Sequence, residues 1–173
     1  VLVKTGAYLL IRIGLGVLPD PLIHFGWWIA LIGVVNIIYA GFIAVVQKDW
    51  RRLLAYSTIS HMGIVLIGIA AATQAGIEGA IFMTLSSALL SALLLFIVGL
   101  IRERTHSASL ESYGGLSTSI PMLSGVLLTA ALGSLGLPGM SGFISEILSF
   151  TGTFRLFPAL SAVGVFGMIL SAL

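Results

Sequence analysis

Residues 26–46 contain no Asp, Glu, Lys or Arg, and neither do residues 53–72, 79–101 or 158–173. An uncharged apolar run of about 20 residues, rising about 1.5 Å per residue as a helix, matches the roughly 30 Å hydrocarbon core of a bilayer. No soluble fold accommodates four such runs in a short chain. Lipid offers backbone N–H and C=O groups no partner, and the spacing lacks the dyad alternation of a membrane barrel. The expected fold class is therefore all-α, a polytopic transmembrane helix bundle. Composition agrees: 58% of residues are hydrophobic and 8% are charged, where soluble domains carry about a quarter charged residues.

The six expected helices cover residues 1–18, 26–46, 53–72, 79–101, 120–151 and 158–173, in a single membrane domain spanning 1–173. Pro19-Asp20-Pro21 is expected to force the chain out of the first helix. Residues 120–151 would make a helix of about 48 Å, too long for the membrane. Within them, Gly136-Leu137-Pro138-Gly139 and Gly142 put a proline between glycines. The expectation is two half-helices, broken near 136–142, of the kind whose ends face a cavity. Lys48-Asp49-Trp50-Arg51-Arg52 and Arg102-Glu103-Arg104-Thr105-His106 read as links two crossings apart, hence on one side. The positive-inside rule makes that side cytoplasmic; Asp20, His24 and Glu78 fall to the other, and Arg155 is the exception. Val1-Leu2-Val3-Lys4 lacks an initiator Met and a signal-peptide pattern, and Leu173 ends within an apolar run. A fragment of a larger chain is expected.

Four ionisable residues are expected at depth, where a charged Lys, Arg or Asp costs about 2.5 to 3.5 kcal/mol on insertion scales. His61 follows Arg52 by roughly 13 Å of helix, near mid-bilayer. It either carries or relays a proton or, as a neutral ring, bonds to a carbonyl of a neighbouring helix. Glu146 lies some five residues before the expected end of its half-helix at Thr151, as a proton site or as an anchor of the broken helix. Lys4 either exchanges protons or snorkels to a headgroup. Arg12, almost always charged, suits a structural or tuning role. Ser86 and Ser87, near the middle of the fourth helix, bond to their own carbonyls or hold a water. There is no cysteine, so neither disulfides nor thiolate-bound metals are available, and no catalytic triad, metal-ligand cluster, nucleotide motif or nucleic-acid-binding pattern is evident.

The run Asp49-Trp50-Arg51-Arg52-Leu53-Leu54-Ala55-Tyr56-Ser57-Thr58-Ile59-Ser60-His61-Met62-Gly63 closely resembles a signature of the proton-translocating antiporter-like subunits of respiratory complex I and their relatives. Lys4-Thr5-Gly6-Ala7-Tyr8 with Arg12 resembles the segment bearing the central lysine of the family's eighth helix. Glu103-Arg104-Thr105-His106 and Tyr113-Gly114-Gly115-Leu116 resemble the loop before the discontinuous twelfth helix. Gly136-Leu137-Pro138-Gly139, Gly142-Phe143 and Glu146 resemble that helix itself. The resemblance implies the eighth to the start of the thirteenth of fourteen helices. Glutamate at 146, where L-type and N-type subunits usually have lysine, implies the M type, also called subunit 4. One departure is Ser87-Ala88-Leu89, where the family commonly has His-Gly-Leu.

The resemblance implies a proton-translocating membrane subunit of an NADH:quinone oxidoreductase, with Lys4, His61 and Glu146 as proton-transfer groups. Arg12, Ser86 and Ser87 would tune that row or hold water in it. No redox site is expected in this chain; NADH, flavin, iron–sulfur clusters and quinone are expected in partner subunits. Expected partners are other membrane subunits, including L-type and N-type antiporter-like ones, and the lipid bilayer, most simply that of a bacterial cell membrane. The alternatives are a subunit of a related hydrogenase complex or of a multisubunit cation/proton antiporter, and a structural spacer.

Overall fold

The computed structural model describes residues 2–105, 110 and 115–171. Its helices are α1 (Val3–Leu9), which runs on through a π-helical segment at Leu10–Leu15, α2 (Pro19–His24), α3 (Gly26–Val46), α4 (Trp50–Ala70), α5 (Gln74–Thr105), the short α6 (Leu116–Ser119), α7 (Pro121–Ser134), α8 (Ser141–Phe154) and α9 (Pro158–Ser171). The all-α bundle is the fold the apolar runs required. Helices α3, α4 and α5 are each long and apolar enough to cross a membrane. Val1, His106, Tyr113, Gly114, Ala172 and Leu173 lie outside the described residues.

Local chemistry explains where the helix ends depart from expectation. Helix α4 starts at Trp50, earlier than residue 53, because the Asp49 carboxylate accepts the Arg51 backbone N–H at 2.8 Å and so satisfies one of the first-turn donors. Helix α5 starts at Gln74 because Thr73 Oγ1 accepts the Gly76 N–H. Glu78, read as a link residue, therefore sits in the second turn of α5, accepting from Gln74 Nε2 at 2.9 Å. Arg102, Glu103 and Arg104, also read as a link, are the last residues of that helix before Thr105. Pro19 does end the first helix, but it also starts α2: proline is tolerated in the first turn, where its missing N–H has no intrahelical role.

Helix α4 is the hub, packed against α1, α3, α5, α8 and α9. In its most apolar stretch 56% of residues are buried, against 33% in α3 and in α5. Without a hydrophobic drive between helices in lipid, close packing rests on small residues, and α4 uses them on two sides. A Cβ placed on Gly63 would lie 2.5 Å from the Gly33 carbonyl oxygen, and one on Gly33 would lie 2.7 Å from that of Gly63. The same reciprocal approach joins Gly68 of α4 to Gly76 of α5. The two basic segments do share an end of the bundle, since the Leu110 N–H donates to the Lys48 carbonyl at 2.9 Å. At the other end, Thr73 Oγ1 donates to the Gly152 carbonyl, and Arg155 caps α8 close by.

Replacing Gly63 with Val is expected to push α3 from α4 and cost about 1 to 3 kcal/mol, the range for overpacking. Gly99, with nothing within 4 Å of a new Cβ, should accept Ala without loss. Melting of the protein in detergent, compared across the two variants, checks this.

Candidate functional site

Lys4 lies in the first turn of α1, 5% exposed, and its Nζ is buried without a protein hydrogen-bond partner. One turn further on, Ala7 packs in the same apolar cluster as Met62, the residue after His61. Helix α1 packs against α4. His61 sits midway along α4. Its Nε2 lies 3.3 Å from Ser57 Oγ, one turn back on the same face, and its Nδ1 is buried without a partner. Which of Nε2 and Oγ donates depends on the tautomer.

Glu146 is 3% exposed, and its Oε2 has no protein hydrogen-bond partner. Helix α8 extends to Phe154, so this carboxyl lies further from the helix end than the expected five residues. A helical side chain leans toward the N-terminus of its helix, which carries the Glu146 carboxyl back to the break between α7 and α8. That break is built by residue type. Gly136 takes φ +67°, the left-handed conformation that ends helices at the position after the C-cap, here Leu135. Pro138 cannot resume the helix, Gly139 has φ +95°, and the chain re-enters helix at Ser141. The Ser141 hydroxyl is tied to Ser86 of α5 across a 2.6 Å Oγ–Oγ hydrogen bond.

His61 and Glu146 line one pocket of about 30 Å³, whose polar wall also includes Ser57, Ser60 and Ser134. A water needs about 10 to 15 Å³ of such space and two to four polar partners, so the pocket has room for one or two. His61 also borders a second, tighter pocket of about 10 Å³ with Ser86, Ser87 and Ser91. There Ser87 donates to the Met83 carbonyl and Ser91 to the Ser87 carbonyl, so Ser87 satisfies itself within α5. Ser86 behaves differently, reaching across to α8.

The structure thus gathers His61 and Glu146 at one pocket, while Lys4 is buried on α1, which packs against α4. It leaves Arg12 apart, exposed within the π-helical segment. Among the described residues no cluster of three or more His, Cys, Asp or Glu could hold a metal ion. Sequence reasoning missed Ser57, Ser60, Ser134, Ser141 and Gly136. The first two were legible, being four and one residues before His61 on an apolar helix. The others depend on how α7 folds against α8.

A bundle of apolar helices long enough to cross a membrane, with Lys4 and Glu146 buried in its interior and one helix broken, has the build of an integral membrane protein. The chain belongs to the family described as NADH:quinone oxidoreductase/Mrp antiporter, TM, which matches residues 1–171. It is 47% identical over 88% of its length to NAD(P)H-quinone oxidoreductase chain 4 2 of Microcystis aeruginosa, covering 28% of that protein. Over its whole length it is 40% identical to NADH-quinone oxidoreductase subunit M of Rickettsia bellii, covering 35% of it. Its fold matches a chain of respiratory complex I from Thermus thermophilus with a TM-score of 0.93 at 30% identity, over 99% of this chain and 37% of that one. The chain therefore spans about a third of the length of the relatives it matches.

Replacing Ser86 with Ala should cost about 1 kcal/mol, the net worth of a typical hydrogen bond, by leaving Ser141 unpaired. Ser87→Ala should stay within about 0.5 kcal/mol of the parent. Thermal unfolding of both variants in the full-length subunit measures the contrast.

Proposed function

We propose that the full-length protein is an M-type, proton-translocating subunit of a quinone-reducing complex, and that protons move between Lys4, His61 and Glu146 through water held at the pockets around His61. The observation that carries this reading is the pocket of about 30 Å³ shared by His61 and Glu146, with His61 Nδ1 and Glu146 Oε2 both buried and lacking protein partners. A water there gains two strong partners, and an imidazole and a carboxyl can each take up and release a proton. Arg12 and the serines of the second pocket would tune the row. Charge coupling supplies the drive: at about 10 Å and an effective dielectric of about 20, two unit charges interact by roughly 1.7 kcal/mol, more than ten-fold in a protonation equilibrium.

On this reading the electron-transfer chemistry of NADH, flavin, iron–sulfur clusters and quinone belongs to partner subunits, with L-type and N-type antiporter-like subunits among the membrane neighbours. The natural setting is a bacterial cell membrane. The names of the relatives support the quinone-linked assignment over a cation/proton antiporter.

In the full-length subunit within its complex, Glu146→Gln is expected to abolish most redox-driven proton pumping while leaving assembly intact. Proton uptake by vesicles given an electron donor and a quinone is the measurement. Unchanged pumping at normal assembly removes Glu146 from the path, and transport that requires sodium but no electron donor points to the antiporter class.

A further inference from the structure

Gly136 does more than turn the chain. A Cβ built on it would run into the Glu146 carboxyl, with Cδ and Oε1 each 2.9 Å away and Oε2 closer still. The carboxyl therefore rests against the bare Cα of the left-handed residue that ends α7. Gly136 is also packed close to Gly142, whose own Cβ would fall 3.1 Å from the Gly136 Cα and 2.8 Å from the Gly133 carbonyl oxygen. All three nearest atoms that a Cβ at 136 would meet belong to that carboxyl, so a side chain there displaces it. Gly139, three residues on in the same break, also has a positive φ, yet nothing lies within 4 Å of a Cβ there.

We propose that Gly136 is a positioning residue for Glu146: the Cβ-free face of the turn seats the carboxyl so that it borders the pocket shared with His61. This deepens the proton-transfer reading and rests on it. The glycine is required twice, for its backbone conformation and for the space its missing side chain leaves. The second requirement is what distinguishes it from Gly139.

The test compares Gly136→Ala with Gly139→Ala in the full-length subunit within its complex. Both place a Cβ on a left-handed residue of the same break, so both carry backbone strain, but only the first meets Glu146. The first readout is the infrared carboxyl band of Glu146, identified as the band lost in Glu146→Gln; the second is redox-driven proton pumping. Gly136→Ala is expected to shift the band and lower pumping by about ten-fold or more, since misplacing a reacting group by about 1 Å costs up to about 100-fold. Gly139→Ala should leave the band in place. Adding Glu146→Asp to Gly136→Ala shortens the acid and should recover part of the loss. If Gly136→Ala fails to assemble, the double variant decides: recovered assembly supports the seat, and persistent failure overturns it. A band unmoved by Gly136→Ala, or moved equally by Gly139→Ala, also overturns it. Because the band reports position independently of transport, a shifted band in a protein whose pumping is indifferent to Glu146→Gln would retain the seat and remove only the transport role.

Discussion

Two glycines facing each other's carbonyls, Gly33 on α3 and Gly63 on α4, set the framework on which the interior depends. In a bilayer the tails solvate an apolar helix as well as another helix does, so association needs close backbone approach rather than hydrophobic exclusion. Gly63 provides it two residues after His61, which fixes the height of the imidazole relative to α3. Gly68 and Gly76 fix α5 against α4 in the same way, and Gly79 receives Ser149 of α8, three residues past Glu146. The spacing of the buried ionisable groups follows from where the glycines fall. The costly residues are carried by a scaffold of the smallest ones.

The break between α7 and α8 meets a second constraint, that ending a helix in the membrane exposes backbone groups which lipid cannot satisfy. The sequence answers with a left-handed glycine, a proline stop, a bond from the Met140 N–H to the Leu137 carbonyl, and the Ser86–Ser141 link to α5. The interruption is consequently compact and anchored. The Glu146 carboxyl rests against the end of α7, with its Oε2 buried and without a protein partner.

The helices were legible because the apolar runs match the bilayer thickness and little else explains them. The break was legible because Gly-Leu-Pro-Gly can do nothing but interrupt a helix. Helix ends were less so: Asp49 and Thr73 extend α4 and α5 by capping interactions that hydropathy alone cannot weigh, and Pro19 reads equally as a stop or a start. Of the interior, the identities of Lys4, His61 and Glu146 stood out because ionisable residues are rare among apolar ones. That His61 and Glu146 share a pocket depends on α4 and α8 packing 85 residues apart in sequence, which no local pattern encodes.

Ser87 shows the same limit from the other side. Where the family pattern places a histidine, a serine read along the chain looks like a gap in the row of titratable groups. In the folded protein that position lines the smaller of the two pockets His61 borders, which shares Ser57 and Ser134 with the larger one. The larger pocket joins His61 to Glu146 with no contribution from α5. Residue order along the sequence therefore says little about adjacency: His61 and Glu146 share space with room for a water without the fourth spanning helix.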